Sequence, residues 1–252
     1  MRLNRLVMSA TAALVWSALT ASVAAAQVGS GNGYLFGAPF GSLSFRAGYA
    51  GASAGSDLFS QVTKDLSLSR GDFSSIGFGM DLAFALRPRL DLVVSADFSG
   101  MDKKSDFRKW QDSDGKPIEQ TTSFSRQSYT AGLKYYLLPY GRTLGKFAWV
   151  PARYAPWVSA AVGRTQYNFK QDGDFIDFNK NNKVFHDTFS SSKWGGSAQV
   201  AAGLDWNLNQ RFALTTQAKY LFGKADLGID FAGFAPIDLS GIGMTGGLTI
   251  RF

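Results

Sequence analysis

The residues able to make and break bonds are few and lie close together. The chain's one histidine, His186, sits in Lys183-Val184-Phe185-His186-Asp187-Thr188-Phe189-Ser190-Ser191-Ser192. A hydroxyl nucleophile, an imidazole base and a carboxylate that orients it make the working set of a hydrolase or acyltransferase. Such neighbours are also common in polar surface loops that catalyse nothing. Just upstream, Asp172, Asp174, Asp177, Asn179, Asn181 and Asn182 are closely spaced oxygen donors of the kind that hold calcium. Gly173 is present, but the EF-hand order and its terminal Glu are not. The same Asp and Asn residues serve as turn formers at a hairpin tip. That simpler reading is taken, with no catalytic residue, no cofactor and no metal site assigned.

Composition narrows the chemistry further. With no Cys, the 252-residue chain has no disulfide, thiolate metal site or cysteine nucleophile. One His excludes most zinc sites. Glu119 is the only glutamate, while Gly (28), Phe (21) and Tyr (9) are abundant, which points away from helices and toward an all-β chain. No basic–aromatic stripe argues for nucleic acid.

The first residues read as an address. Arg2 and Arg5 precede an apolar run from Leu6 to about Leu19, which ends in Ala24-Ala25-Ala26. This is the pattern of a cleavable secretory signal over 1–26. A short N-terminal segment, 27–41, follows on the periplasmic side. The remainder, 42–252, carries no apolar run of about 20 residues, which excludes helical spans.

What recurs in 42–252 is alternation. Ile76, Phe78, Met80, Leu82, Phe84 and Leu86 alternate with Ser75, Gly77, Gly79, Asp81, Ala83 and Ala85. A period of two over a dozen residues means a strand with one apolar face. Seven such segments are clear: 43–49, 74–86, 90–99, 128–137, 194–206, 212–222 and 242–252. An eighth, 157–169, is ambiguous. Val158, Ala160 and Val162 favour one facing; Trp157, Tyr167 and Phe169, with Arg164 turned inward, favour the other. Connections alternate between tight, at 87–89 and 207–210, and long, at 52–72, 100–123, 170–193 and 223–240. A third connection on the tight side, 138–155, is longer. Asp112-Ser113-Asp114-Gly115 makes a turn within the second long connection, so that connection and the third are expected to extend the strands above the membrane.

A water-soluble sandwich would crowd its polar face with charge. Here that face is mostly Gly, Ala and Ser, suited to a narrow lumen. Its isolated charges balance: Arg46, Lys134, Lys219 and Arg251 against Asp81, Asp91, Asp97 and Asp205. Equal numbers imply a paired lumen network, since an unpaired charge in a tight tube is expensive. Arg46 is expected to pair with Asp81, and Asp91, Asp205 and Arg251 to cluster near the short-turn end. Aromatics mark both edges of the apolar band, Tyr135, Trp206, Phe212 and Phe252 at one and Tyr49, Phe98, Tyr129, Trp194 and Phe222 at the other. Arg87, Arg89, Arg142, Lys146, Arg153 and Arg211 form a basic collar at the short turns. The reading is an eight-stranded antiparallel up-and-down transmembrane β-barrel.

The signal ending, the eight segments and the terminal Gly246-Gly247-Leu248-Thr249-Ile250-Arg251-Phe252 resemble the small outer-membrane β-barrels of the OmpA/OmpX-like superfamily. The resemblance implies a Gram-negative outer-membrane location. It also implies that Leu248, Ile250 and Phe252 form the signal read by the outer-membrane assembly machinery. The expected partners are outer-membrane lipid and lipopolysaccharide, with Lys103, Lys104, Arg108, Lys109 and Lys193 facing lipid A phosphates, and an extracellular protein or glycan. A monomer with a structural or adhesin-like role and no catalysis is expected. The alternatives are a narrow pore for small solutes, or a lipid A-modifying hydrolase or acyltransferase using His186.

Overall fold

The computed structural model describes residues 37–111, 115–144, 148–177 and 183–252. The signal at 1–26, the start of the segment at 27–41, and Asp112, Ser113, Asp114, Lys146, Asn179, Asn181 and Asn182 lie outside the described residues.

The alternating segments form strands because successive side chains of an extended backbone point to opposite faces. In chain order they are β1 (Gly41–Ala50), β2 (Ser75–Arg87), β3 (Leu90–Gln111), β4 (Pro117–Tyr136), the short β5 (Gly141–Leu144) and β6 (Ala148–Pro151), then β7 (Tyr154–Asp177), β8 (Lys183–Asn207), β9 (Phe212–Ala225), the two-residue β10 (Ile237–Asp238) and β11 (Gly241–Arg251). Eight of these, β1, β2, β3, β4, β7, β8, β9 and β11, pair antiparallel with their neighbours, and β11 returns to β1. The sheet is therefore a closed eight-stranded up-and-down barrel. At the closing seam Ser42 faces Arg251 and Ala50 faces Gly243. The two strands lie close there: a Cβ on Gly247 would meet the Phe45 carbonyl at 1.8 Å.

The burial pattern is that of a membrane protein. Val94, Leu133, Val162, Val200, Leu214 and Met244 are exposed on the outside, while Ser44, Ser95, Thr130, Thr215 and Thr249 are buried inside. Water would reverse this arrangement; hydrocarbon requires it. The ambiguous segment takes one facing throughout. Trp157, Thr165, Tyr167 and Phe169 are buried in the lumen, Val158, Val162 and Arg164 face out, and the register to β4 and β8 runs without a bulge. β7 starts two residues before Pro156, so the missing N–H falls at a strand end.

The second and third long connections continue the sheet. β3 and β4 stay paired to Asp106–Glu119, β4 and β7 to Gln120–Gly173, and β7 and β8 to Asp177–Lys183. The first and fourth connections instead fold over the mouth. Between β1 and β2 lies a helix, α1 (Asp57–Asp65), with an acid in its first turn and a lysine in its last, as the helix dipole favours. Its Leu58, Phe59 and Val62 turn down into the barrel. Leu58, Phe59, Val62 and Leu66 do follow a helical spacing, but over nine residues it is too short to stand out from the surrounding connection.

On the outward surface at mid-height, Val200→Arg is expected to cost about 2–4 kcal/mol in vesicles, the penalty of a cation at mid-bilayer. Equilibrium urea unfolding measures it, and a cost near zero would mean that this face meets water.

Candidate functional site

The lumen is built in three tiers. At mid-height Arg46 sits on β1 opposite Gly79, where the missing side chain leaves room for the guanidinium. Its Nε donates to Asp81 Oδ2 at 2.8 Å and its Nη2 to Asp81 Oδ1 at 2.6 Å, the two-pronged geometry that suits Arg to carboxylates. Asp97 lies 3.4 Å from the same Nη2 and carries Lys219 Nζ at 2.6 Å from its other oxygen. Two acids and two cations from β1, β2, β3 and β9 thus form one chain of contacts across the tube.

The lower tier centres on Asp205, whose side chain is fully buried. One oxygen accepts from Lys134 Nζ at 3.1 Å and Tyr136 Oη at 3.2 Å, the other from Trp157 Nε1 and Thr215 Oγ1, both at 2.9 Å. Lys134 Nζ also lies 4.3 Å from the Trp157 ring, a cation–π contact. Asp91 stands opposite Lys134 on β3, and Arg251 donates to Asn207 at 2.5 Å. Asp205 thus pairs with Lys134, whereas Asp91 makes no ion pair among the described residues and its Oδ1 is buried without a hydrogen bond, so the lumen charges are not all paired. Beneath, the connection after β4 doubles back as the β5–β6 hairpin and packs Tyr140 and Trp149 against Tyr136, Ala155 and Trp157. Beside the ions, a void lined by Arg46, Asp81, Lys134, Trp157 and Gln199 measures about 30 Å³, room for about two waters.

The upper tier is apolar. Phe59 of α1 packs edge-on to Phe73, Phe124 and Phe169 at 4.7, 5.2 and 5.9 Å, and Phe231, Ile237 and Leu239 of the last connection complete the cluster. Arg126 lies below it, with Nη1 donating to the Leu239 carbonyl at 2.9 Å and Nη2 to the Gly51 carbonyl at 3.2 Å. One side chain from the wall therefore ties down both connections that cover the mouth. Further links are Gly55 N–H to Asp238 and Ala235 N–H to Asp57.

Arg126 was readable in the sequence. It continues the inward row of Ser128, Thr130, Gly132 and Lys134 by one more alternate position. The aromatic floor was not: Tyr140 and Trp149 lie in a connection whose prolines suggested only irregular chain.

The His186 constellation is not assembled. His186 Nδ1 lies 3.1 Å from Asp174 Oδ1, both groups exposed on facing strands. Ser190 is four residues along β8, about 13 Å away. Asp172 accepts from Thr188, and among the described residues no three of His, Cys, Asp and Glu are placed to hold a metal ion. Three of the five cations expected at lipid A phosphates are bonded within the protein. Lys103 pairs with Asp72 at 3.0 Å, Arg108 donates to the Leu66 and Leu68 carbonyls, and Lys193 to the Leu227 carbonyl. Lys104 and Lys109 are exposed. Of the terminal signal residues, Leu248 faces outward on β11, and Phe252 lies edge-on to Phe40 at 5.0 Å and bonds through its backbone to Gly41.

Removing one partner of a buried pair strands the other. Asp205→Ala is therefore expected to cost about 3–5 kcal/mol in equilibrium unfolding, and adding Lys134→Met to restore much of it. Outside the membrane, Asp72 accepts from Ser69 and pairs with Lys103, which lowers its pKa from 3.8 to about 2. A depressed carboxyl contributes stability above its ordinary pKa that is lost as pH falls through the lowered one. The first connection should therefore loosen between about pH 4 and 2. NMR titration of the Asp72 carboxyl should give a midpoint near 2, moving upward in Lys103→Gln.

No protein-family model and no curated protein matches the sequence. Solved structures do. Neisserial surface protein A matches at 12% identity over 86% of this chain and 99% of that one, with a TM-score of 0.47. Ail, the attachment invasion locus protein of Yersinia pestis, matches at 15% over 84% and 99%, with a TM-score of 0.40. OprG from Pseudomonas aeruginosa matches at 15% over 86% and 98%, with a TM-score of 0.47. By its own closed sheet, the chain is an eight-stranded antiparallel up-and-down β-barrel, and these solved structures share that fold.

Proposed function

We propose that the protein is a closed outer-membrane scaffold, structural or adhesin-like in role, that presents a rigid extracellular head. The observation that carries this reading is the sealing of the lumen at both ends. Aromatic rings pack into the short-turn end, α1 and the last connection fill the other, and paired ions occupy the middle. A solute path would need these groups displaced together. The same packing leaves the protein's accessible polar surface in the extensions of β3, β4, β7 and β8, which project beyond the apolar band. Trp110 and Phe185 are exposed there.

In this reading the side of the tight turns is periplasmic. Both ends of the described barrel lie on the side of the tight turns, with the exposed Arg87, Arg142 and Arg153. Tight turns there and long connections at the opposite rim support a periplasmic position for that side, with Leu248, Ile250 and Phe252 as the assembly signal. The protein acts as a monomer, without catalysis.

Planar-bilayer recordings of the purified protein should show no conductance steps above leak; steps would establish the narrow pore instead. Unchanged lipid A mass spectra on expression, with His186→Ala as control, are expected, and His186-dependent products would establish the enzyme. Replacing 107–116 by a short turn should abolish binding to host cells or matrix at unchanged surface level. Unchanged binding would leave a structural role alone.

A further inference from the structure

Between the two aromatic girdles the outward rows of the eight strands carry no charge. Two cations break this rule at the level of the long-loop girdle, and the register sets them side by side. Arg164 on β7 faces Gly196 on β8, and Gly196 faces Lys224 on β9. Both cations alternate with buried neighbours, Thr165 and Ala225, and are themselves exposed on the outer face. Neither makes an ion pair, side-chain hydrogen bond or cation–π contact among the described residues. Asp238, opposite Lys224 on β10, bonds instead to the N–H groups of Gly55 and Ser240.

The space between them is open. Two strand spacings separate their backbones, about 10 Å. The residue in the gap is a glycine, and nothing lies within 4 Å of where its Cβ would be. On the extracellular side Trp194 follows Gly196 along β8, and its ring meets that of Tyr129 at 5.9 Å across β7, above and beside Arg164. Toward the bilayer centre the outward residues are Val162, Ala198, Val200 and Phe222, all apolar. The patch is thus cationic at headgroup depth, aromatic along its upper edge and greasy below. At such a depth the anions within reach of an unpaired guanidinium and ammonium are lipid phosphates, and the guanidinium's fork matches phosphate oxygens.

We propose that Arg164 and Lys224, on either side of Gly196, bind a phosphate of an outer-leaflet glycolipid, with its acyl chains lying along Ala198 and Val200. This deepens the membrane reading and rests on it. It moves lipid recognition from the loop cations to the barrel wall.

Native mass spectrometry of the detergent-solubilised protein tests it with three probes: bis-phosphorylated lipid A, the same lipid dephosphorylated, and inorganic phosphate. Wild-type protein should retain lipid A at least tenfold more tightly than the dephosphorylated form. The double variant R164Q/K224Q should lose that preference. G196L should weaken retention while keeping both cations, by filling the gap, and K109Q should change nothing. Equal retention of both lipids, or an unchanged double variant, would overturn the proposal. Full displacement by millimolar inorganic phosphate would overturn the lipid assignment in favour of a free-anion site. Insertion into vesicles, followed by circular dichroism, separates the two levels. Wild-type protein that fails to insert refutes the membrane reading itself, whereas protein that inserts without lipid preference refutes only this site.

Discussion

Hydrocarbon offers no partner to a backbone N–H or C=O, and that single constraint governs the molecule. A sheet in lipid must have no free edge, so β11 has to return to β1. Closing after eight strands leaves a tube barely wide enough for its own side chains. Everything on the inner face follows from that diameter. Gly48, Gly132, Gly163 and Gly247 lie where a Cβ would press on a neighbouring strand's carbonyl. Most of the charges that remain are held by partners on other strands, Arg46 by Asp81 and Lys134 by Asp205, while Asp91 makes no ion pair among the described residues.

The two ends are closed by different physics. The short-turn end uses rings with polar edges, Tyr136 and Trp157, which bury area while reaching Asp205 with an O–H and an N–H. The mouth uses mostly rings without such handles, Phe59 in edge-to-face contact with Phe73, Phe124 and Phe169, with Tyr167 the exception, its O–H donating to the Asp226 carbonyl. Arg126 marks the boundary between the ionic and the apolar tiers. It spends its donors on backbone carbonyls rather than on a carboxylate, so it fixes chain path where the other lumen cations fix side chains.

The architecture was legible because a membrane barrel writes its facing into every second residue. The runs at 74–86 and 242–252 admit one reading, and the inward charges stand out against Gly and Ser. Trp157 defeated the same logic: a large ring is expected in lipid, and here it is a hydrogen-bond donor inside. Arg164 misled for the opposite reason, since a cation is expected inside and this one faces out at the interface. Helix α1 and the β5–β6 hairpin were hidden because both are short and take their shape from the barrel they plug. The link between Arg108 and the Leu66 and Leu68 carbonyls lies on no repeating pattern that a sequence displays.

The strands rise unequally. β3, β4, β7 and β8 run on past the apolar band, β7 by roughly 40 Å measured along its length, while β9, β11, β1 and β2 stop near it. Seen from above, the molecule is a parapet on half its circumference. Whatever surrounds the barrel meets a tall wall on that half and a low rim on the other. Neighbours in a crowded bilayer therefore have one easy side of approach, and the parapet always faces away from it.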